Sequence, residues 1–269
     1  MNHPILSIIT VVYNGEDHIQ ETINSVLSQK KDFFEYIIVD GASSDRTMEI
    51  VNLNAAKLDF IISEKDSGIY NAMNKGLKIA NGKYVTFLNC GDYYESNALH
   101  QLTSTLLNVE ANILYFDINF LEYLENRVFK KKQIPNHKLL SSGMSIFHPS
   151  TVVLRDLYIK EGGFSENYKL AADYDFFLNM FLKDKYFLYC PYILVNFRLD
   201  GISTNSVFLS LKENVLIRLN RLNIFYALKY LVIKISQICY YSSRQKIFIL
   251  LFGYKKFIEK KRYNFENER

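Results

Sequence analysis

Four short groups of polar residues, each directly after an apolar run, carry the side chains that could do chemistry in the first hundred residues. They stand at 13–14, 40–41, 64–68 and 89–92. The fourth group reads Asn-Cys-Gly-Asp and so contains a single carboxylate. Acidic and amide oxygens at such positions bind hard cations or ligand hydroxyls, and the same residue types also form turns. A metal site and a simple turn are both open interpretations of this group.

The apolar runs alternate with segments of helical periodicity. Strand patterns cover 6–14, 35–40, 59–63 and 83–89, and helix patterns cover 17–29, 47–53, 69–80 and 97–108. This alternation with short loops predicts an α/β fold whose mostly parallel sheet has helices on both faces. Ligands of such sheets bind at the carboxyl ends of the strands. The four polar groups are therefore predicted to face one crevice.

The remaining chain is less regular. We predict strands at 113–124 and 128–132, a short strand leading into a helix within 146–155, a helix at 173–183, and two strands at 186–190 and 192–197. From about residue 207 to 262 the pattern predicts mostly long helices.

Several classes of protein are disfavoured by the sequence. It has neither the glycine-rich loop of dinucleotide-binding enzymes nor that of P-loop NTPases, and it shows no recognisable hydrolase triad. The 3 cysteines are far apart and suggest neither a disulfide framework nor a zinc site, so we expect a reducing compartment. We expect no signal peptide, and no apolar run reaches the roughly 18 residues that span a bilayer.

Several longer stretches carry a resemblance to a known family. They are LSIITVVYNGEDHIQETINSVLSQ, YIIVDGASSDRT, EKDSGIYNAMNKGLKIANGKYVTFLNCGD, GGFSENYKLAADYDFFLNM and the final GIS at 201–203. In this order and spacing they resemble glycosyltransferase family 2, in the subgroup that makes bacterial surface polysaccharides. The resemblance covers roughly residues 4–205 and implies the GT-A fold, a Rossmann-like sheet, with a nucleotide-sugar as donor.

The resemblance implies roles for the strand-end residues. Tyr13 and Asn14 resemble the loop beside the nucleobase, and Asp40 resembles the acid that holds the base or the ribose. The alternative is that Asp40 only forms a turn. Asp92 stands at the metal-binding position and is expected to bind Mn²⁺ or Mg²⁺. Asn89 is expected to contact the donor or a metal-bound water.

Other roles follow from the same resemblance. Asp173 matches the general base that deprotonates the acceptor hydroxyl, with a helix N-cap as the alternative. Asp66 and Tyr70 are expected to hold donor sugar hydroxyls or the diphosphate, unless Asp66 only caps the next helix. His148 is expected to contact acceptor, metal or diphosphate, and the alternative is a packed histidine.

The sequence departs from the family pattern at three positions. Asn89 replaces the leading acid of the metal motif, Met73 stands where the family often has arginine, and Ala172 replaces the glutamate before the base. Positive charge near the diphosphate must then come from elsewhere, and we expect Arg198 to supply it. Ser203 lies in a segment that resembles one closing over the donor.

Together these features predict an inverting, metal-dependent glycosyltransferase. It would move a sugar from a nucleotide donor, UDP-linked by preference, to a hydroxyl of a saccharide or lipid-linked saccharide. A non-catalytic nucleotide-sugar-binding or assembly protein of the same fold is the alternative, and a nucleotidyltransferase is a more remote one.

The C-terminal part differs in charge from the rest. Residues 204–269 contain 13 Lys and Arg against 4 Asp and Glu, whereas residues 1–203 contain 19 against 24. We therefore predict a glycosyltransferase domain at 1–205 and a helical, basic region at 206–269. The region is expected to contact an anionic membrane surface, which implies a peripheral protein on the cytoplasmic face of the bacterial membrane. The alternative is helices packed on the core with a solvated basic face, and nucleic acid is not an expected partner.

Overall fold

The apolar runs of the sequence form the strands of one mixed sheet. The structure, a computed structural model, describes residues 4–29, 33–124, 127–199, 206–237 and 240. The strands are β1 (Leu6–Val12), β2 (Phe34–Asp40), β3 (Phe60–Ser63), β4 (Tyr84–Phe87), β5 (Tyr93–Tyr94), β6 (Ile113–Leu124), β7 (Arg127–Gln133), β8 (Thr151–Leu154) and β9 (Phe187–Arg198). Their order in the sheet is β3-β2-β1-β4-β8-β6-β9-β5, with β7 paired to β6.

The helices of the described residues connect and cover these strands. They are α1 (Ile19–Leu27), α2 (Thr47–Leu53), α3 (Ile69–Ile79), α4 (Ala98–Asn108), α5 (Arg155–Lys160), α6 (Ala172–Leu182) and α7 (Val207–Arg221). Short 3₁₀ turns lie at Ala55–Lys57, His137–Leu139 and His148–Ser150. Residues 224–237 are also helical.

The sheet has a parallel half and a mixed half. Strands β3, β2, β1 and β4 are all parallel to one another, whereas β8 is antiparallel to both β4 and β6. Strand β6 therefore runs in the direction of β4, and β9 is parallel to β6. The carboxyl ends of β1, β2, β4, β6 and β9 consequently lie along one edge, where β8 begins.

Alternate residues of the strands enter two separate cores, as the period of two along a strand requires. Ile9 and Ile37 face one core together with α3, α5 and α6. Ile8 and Ile38 face the other core together with α1, α2 and α4. The predicted α/β fold, with helices on both faces of a mostly parallel sheet, is confirmed.

One predicted boundary is wrong. The break expected near Pro191 does not separate two strands, because β9 continues from Phe187 to Arg198. Proline lacks the N–H that a central strand needs, which is why a break was expected. The pairing with β6 instead shifts register there: Cys190 pairs with Phe116, and Ile193 pairs with Asp117. The irregularity accommodates the proline without ending the strand.

The first helix of the basic region contacts the helix α6. Glu213, on α7, accepts hydrogen bonds from three consecutive backbone N–H groups at 169–171, at 2.8, 2.9 and 3.1 Å. Arg221 makes a two-pronged ion pair with Asp175, with both N···O distances at 2.8 Å. The buried guanidinium of Arg218 stacks on Tyr174. These contacts hold α7 against the sheet domain.

No helix within the described residues is long and apolar enough to cross a membrane.

Candidate active site

The strand order brings the end of β4 against the start of β8. Because these strands are antiparallel, the residues just after Phe87 lie beside those just before Thr151. This places Asn89 next to His148, although 59 residues separate them in the chain. The N-terminus of α6, which carries Asp173, lies against the same edge.

A continuous chain of hydrogen bonds joins four of the predicted site residues. The amide nitrogen Nδ2 of Asn89 lies 3.0 Å from Nε2 of His148. The other ring nitrogen of His148, Nδ1, lies 3.0 Å from Oδ2 of Asp173. The Tyr70 hydroxyl donates to Oδ1 of Asp173 over 3.0 Å. The structure therefore brings together residues that were predicted to contact the donor, to contact the acceptor and to act as the base.

The carboxylate of Asp173 is held from both sides. Besides the Tyr70 hydroxyl, Oδ1 accepts the backbone N–H of Tyr174 at 2.8 Å. Burial, and then the negative charge of Asp173, raise the pKa of Tyr70 well above its ordinary value, so this phenol keeps its proton and donates. Ala171, rather than Asp173, is the N-cap of α6. The simple N-cap interpretation of Asp173 therefore does not describe the structure.

The loop after β4 places Asp92 beside Arg198, at the end of β9. The backbone N–H of Arg198 donates to Oδ1 of Asp92 over 3.1 Å, and Asp92 is buried. Gly91 has a φ of 99°, and a Cβ there would lie 3.4 Å from Cδ of Arg198. Glycine is favoured here by the left-handed backbone, because a Cβ would make only an ordinary contact with the arginine. The backbone of Arg198 therefore contacts the expected metal ligand, and its guanidinium carbon lies 4.0 Å from the centre of the Tyr123 ring.

Cys90 is part of this loop but is not suited to chemistry. Burial, and then the charge of Asp92, raise the pKa of the Cys90 thiol to about 12. A thiol of this kind stays protonated at neutral pH and is a poor nucleophile and metal ligand.

Asp40 lies at the carboxyl end of β2 and is fully buried. Its Oδ2 accepts the Ser63 hydroxyl at 2.7 Å, and its carboxylate also accepts the backbone N–H and the hydroxyl of Ser43. Ser43 in turn accepts the backbone N–H of Asn14 at 2.8 Å. Asn14 has a φ of 49°. These bonds join the loop after β1 to the loop after β2.

Tyr13 and Asp66 flank this turn. A Cβ on Gly41 would lie 2.5 Å from Oδ2 of Asp66 and 3.3 Å from the ring of Tyr13, so a larger residue would require the Asp66 side chain to move. Oδ1 of Asp66 accepts the backbone N–H of Gly68 at 2.9 Å, directly ahead of α3. Tyr13 is 66% exposed. An exposed aromatic ring beside polar groups suits stacking on a planar ligand.

The position at which the family often has an arginine lies in the core. Met73 is buried in the core, so this position supplies no charge to the edge of the sheet. Lys75 forms an ion pair with Glu64, at 2.9 Å. Ser203 lies outside the described residues. Within the described ranges, no three histidine, cysteine or acidic side chains form a ready-made metal cluster.

Sequence reasoning missed the residues that support the site. Ser43 and Ser63 orient Asp40, and the Thr22 hydroxyl accepts the backbone N–H of Gly91 at 3.0 Å. Ser43 could have been found, because a serine three residues after an aspartate is typical of a side-chain-capped turn. Thr22 and Ser63 gave no comparable signal, since their partners are distant in the chain.

With this geometry established, comparison with known proteins identifies the class. Residues 7–163 match the family model described as Glycosyl transferase family 2, so the chain belongs to this family and is a glycosyltransferase. It is 28% identical over 186 residues to the PGL/p-HBAD biosynthesis glycosyltransferase of Mycobacterium bovis, covering 67% of this chain and 71% of that one. It is 38% identical over 102 residues to a Bacillus subtilis protein provisionally named the teichuronic acid biosynthesis glycosyltransferase TuaG, covering 36% and 40%.

Solved structures show the same fold. The Staphylococcus aureus protein TarS in complex with UDP-GlcNAc superposes with a TM-score of 0.64 at 20% identity, covering 84% of this chain and 70% of that one. The Pyrobaculum calidifontis mannosyltransferase PcManGT, in complex with GDP-Man and Mn²⁺, gives 0.60 at 14% identity, covering 98% and 85%. The predicted GT-A fold is therefore confirmed.

Proposed function

We propose that this protein is an inverting glycosyltransferase that transfers one sugar from a UDP-sugar to a hydroxyl of a saccharide or lipid-linked saccharide, in the synthesis of a surface polysaccharide. The observation that carries the proposal is the carboxylate of Asp173, held by Tyr70 and His148 at the carboxyl edge of the sheet. The UDP-GlcNAc bound in the TarS complex supports the donor, and the name of TuaG supports the polysaccharide context.

The chemistry follows from a single displacement. The acceptor oxygen attacks the anomeric carbon as the bond from that carbon to the diphosphate oxygen breaks, and the acceptor proton passes to Asp173. Attack opposite the leaving group inverts the anomeric centre. Asp173 Oδ2 has one hydrogen-bond donor among the described residues, His148, so a second lone pair is available for the acceptor hydroxyl.

A divalent cation, Mn²⁺ or Mg²⁺, fits the residues of the loop after β4. Asp92 supplies a carboxylate. Oδ1 of Asn89 is buried without a hydrogen-bond donor among the described residues, and a metal-bound water or a donor hydroxyl would satisfy it. Such cations accept one protein carboxylate together with phosphate oxygens and water. When bound, the cation would stabilise the negative charge of the departing nucleoside diphosphate.

A thermal-shift panel of UDP-, GDP- and TDP-sugars, each with and without Mn²⁺, tests donor class and cation together. A ligand at a hundredfold excess over its Kd stabilises a folded protein by about 2.7 kcal/mol. We expect a clear rise in Tm for at least one UDP-sugar, larger with Mn²⁺ than without it. A rise only with GDP- or TDP-sugars would contradict the UDP assignment, and no rise with any donor would contradict the function.

We also propose that the C-terminal helices bind the surface of an anionic membrane. In the helical segment 224–237, Phe225, Leu228 and Val232 share one face and are 65%, 53% and 66% exposed. Apolar faces of this kind are uncommon on soluble surfaces unless they bind something. The occupant is expected to be anionic lipid because residues 204–269 carry a net charge of +9.

Flotation with phosphatidylglycerol vesicles tests this surface. The wild type is expected to float with these vesicles at low salt, and the double variant Phe225→Gln, Val232→Gln is expected to stay at the bottom of the gradient. Leu53→Gln is the matched control, because Leu53 is 80% exposed and lies on α2, which is distant in sequence from the segment 224–237. If the wild type does not float, or if the double variant floats equally well, the membrane proposal is wrong. A shift of the wild type to a dimer in gel filtration, removed by the double variant, would point to a second copy as the occupant.

A further inference from the structure

Both ring nitrogens of His148 are engaged, and the partners define where its proton lies. Nε2 lies 3.0 Å from the amide nitrogen of Asn89, which can only donate a hydrogen bond, so Nε2 must be the acceptor. Nδ1 therefore carries the hydrogen and donates it to Oδ2 of Asp173, over 3.0 Å. The hydrogen-bond network thus assigns the neutral Nδ1–H tautomer to His148.

From this geometry we propose that His148 is a positioning residue that couples the donor side of the site to the base. Its Nδ1–H aims Oδ2 of Asp173, and its Nε2 fixes the amide of Asn89 so that Oδ1 remains available to the donor. The inference rests on the proposed function, because it requires Asp173 to be the base. In this arrangement His148 has no ring nitrogen left for direct contact with a diphosphate, a metal or the acceptor.

The proposal accounts for the amide at position 89. An aspartate there would offer only acceptors, so Nε2 would have to carry a hydrogen. With Nδ1 also donating to Asp173, the ring would then be a charged imidazolium. The Asn89 amide instead donates to Nε2 of the neutral ring, and the single N–H of the ring, on Nδ1, is directed at Asp173. The loss of the leading acid and the presence of His148 are therefore matched to each other.

The same oxygen of Asp173 serves His148 and the acceptor. Oδ1 already accepts the Tyr70 hydroxyl and the Tyr174 N–H, whereas Oδ2 accepts only the His148 donor among the described residues. A donor on Oδ2 restricts rotation of the carboxylate and directs its remaining lone pair. Loss of the hydrogen bond from His148 is expected to lower kcat more than it changes the affinity for the nucleotide-sugar, because Asn89 and Asp92 would remain in place.

Two substitutions separate the two contacts of the ring. In His148→Asn the side-chain nitrogen takes the approximate place of Nδ1, so the bond to Asp173 is retained. In His148→Gln the longer side chain takes the approximate place of Nε2, so the bond to Asn89 is retained and the one to Asp173 is lost. The measurement is release of UDP from the UDP-sugar that raises Tm most, with Mn²⁺, beside the Kd for UDP and the Tm of each variant.

We expect His148→Asn to keep kcat within about threefold of the wild type and His148→Gln to lose about tenfold or more, the range of a hydrogen bond to a charged group. The Kd for UDP should change by less than about threefold in His148→Gln, because that variant retains the bond to Asn89. Equal kcat values in the two variants, or a more active glutamine variant, would overturn the inference. If Asp173→Asn also keeps full activity, the proposed function itself fails; if only the two His148 variants fail to differ, the inference alone fails.

A spectroscopic measurement on the wild type tests the position of the ring hydrogen directly. The chain has only 5 histidines, so ¹⁵N-histidine labelling gives few signals, and His148→Gln assigns the relevant one. The nitrogen shifts of His148 in the wild type should be those of a neutral ring with hydrogen on Nδ1. A neutral ring with hydrogen on Nε2, or a charged ring at neutral pH, would overturn the inference.

Discussion

Asp173→Asn is expected to lower kcat by about 10³-fold, within the range of 10²–10⁴ typical of general acid–base catalysis. The amide has nearly the same shape as the carboxylate but cannot accept the acceptor proton. In the wild type, Tyr70 and His148 each donate to a different oxygen of Asp173. The amide has only one oxygen, so its NH₂ group would face one of these two donors. The measurement is the release of nucleoside diphosphate in the presence of acceptor.

The matched control for this substitution is Asp175→Asn on the same helix. Asp175 is also buried, but it binds Arg221 on α7 and does not belong to the hydrogen-bonded chain at the site. Breaking a buried ion pair is expected to lower Tm, while kcat stays within about threefold at a temperature where the variant is folded. If the wild type and Asp173→Asn release nucleoside diphosphate at equal rates, Asp173 is not the base.

Asp92→Asn is expected to remove the cation-dependent part of nucleotide binding. The asparagine can still accept the backbone N–H of Arg198, so the loop should keep its shape, but the negative charge is lost. Substitution of groups that merely support a metal ligand costs about 10–100-fold in affinity or activity, and loss of a direct ligand should cost at least as much. Calorimetric titration of UDP with Mn²⁺, and again with EDTA, measures the difference.

Glu95→Gln provides the comparison for Asp92→Asn. Glu95 is another acid three residues further on, and its side chain accepts from Asn119 and pairs with Lys130. This variant should retain the full effect of Mn²⁺ on the Kd for UDP. If Asp92→Asn also retains it, Asp92 does not bind the metal.

The fold was largely predictable because its local and long-range signals agree. The continuous apolar runs of β1 and β2 predict strands buried on both faces, and the helical periodicity of the segments between strands predicts the helices that cover them. The exception was β9, where the local property of Pro191 suggested a break. Pairing along β6 outweighed that property, and pairing partners cannot be derived from one local sequence.

The site was predictable only in part, for a similar reason. Asp40 and Asp92 could be placed at one edge of the sheet, because parallel strands end on the same side. The bonds of His148 to Asn89 and Asp173 depend on β8 running antiparallel beside β4, which the sequence pattern does not specify. From its sequence neighbours Phe147 and Pro149 alone, His148 could also have been a packed histidine without a role in the site. Its place in the site follows from topology.

The contact between α7 and α6 has an electrostatic consequence. The start of a helix is the positive end of its dipole and a common place for phosphate. Here the carboxylate of Glu213 lies just ahead of α6, where it accepts three backbone N–H groups of the chain itself. The partial positive charge at the start of the helix that carries Asp173 is thus neutralised internally. Under the proposed function, positive charge for a diphosphate is then expected from Arg198, at the end of β9.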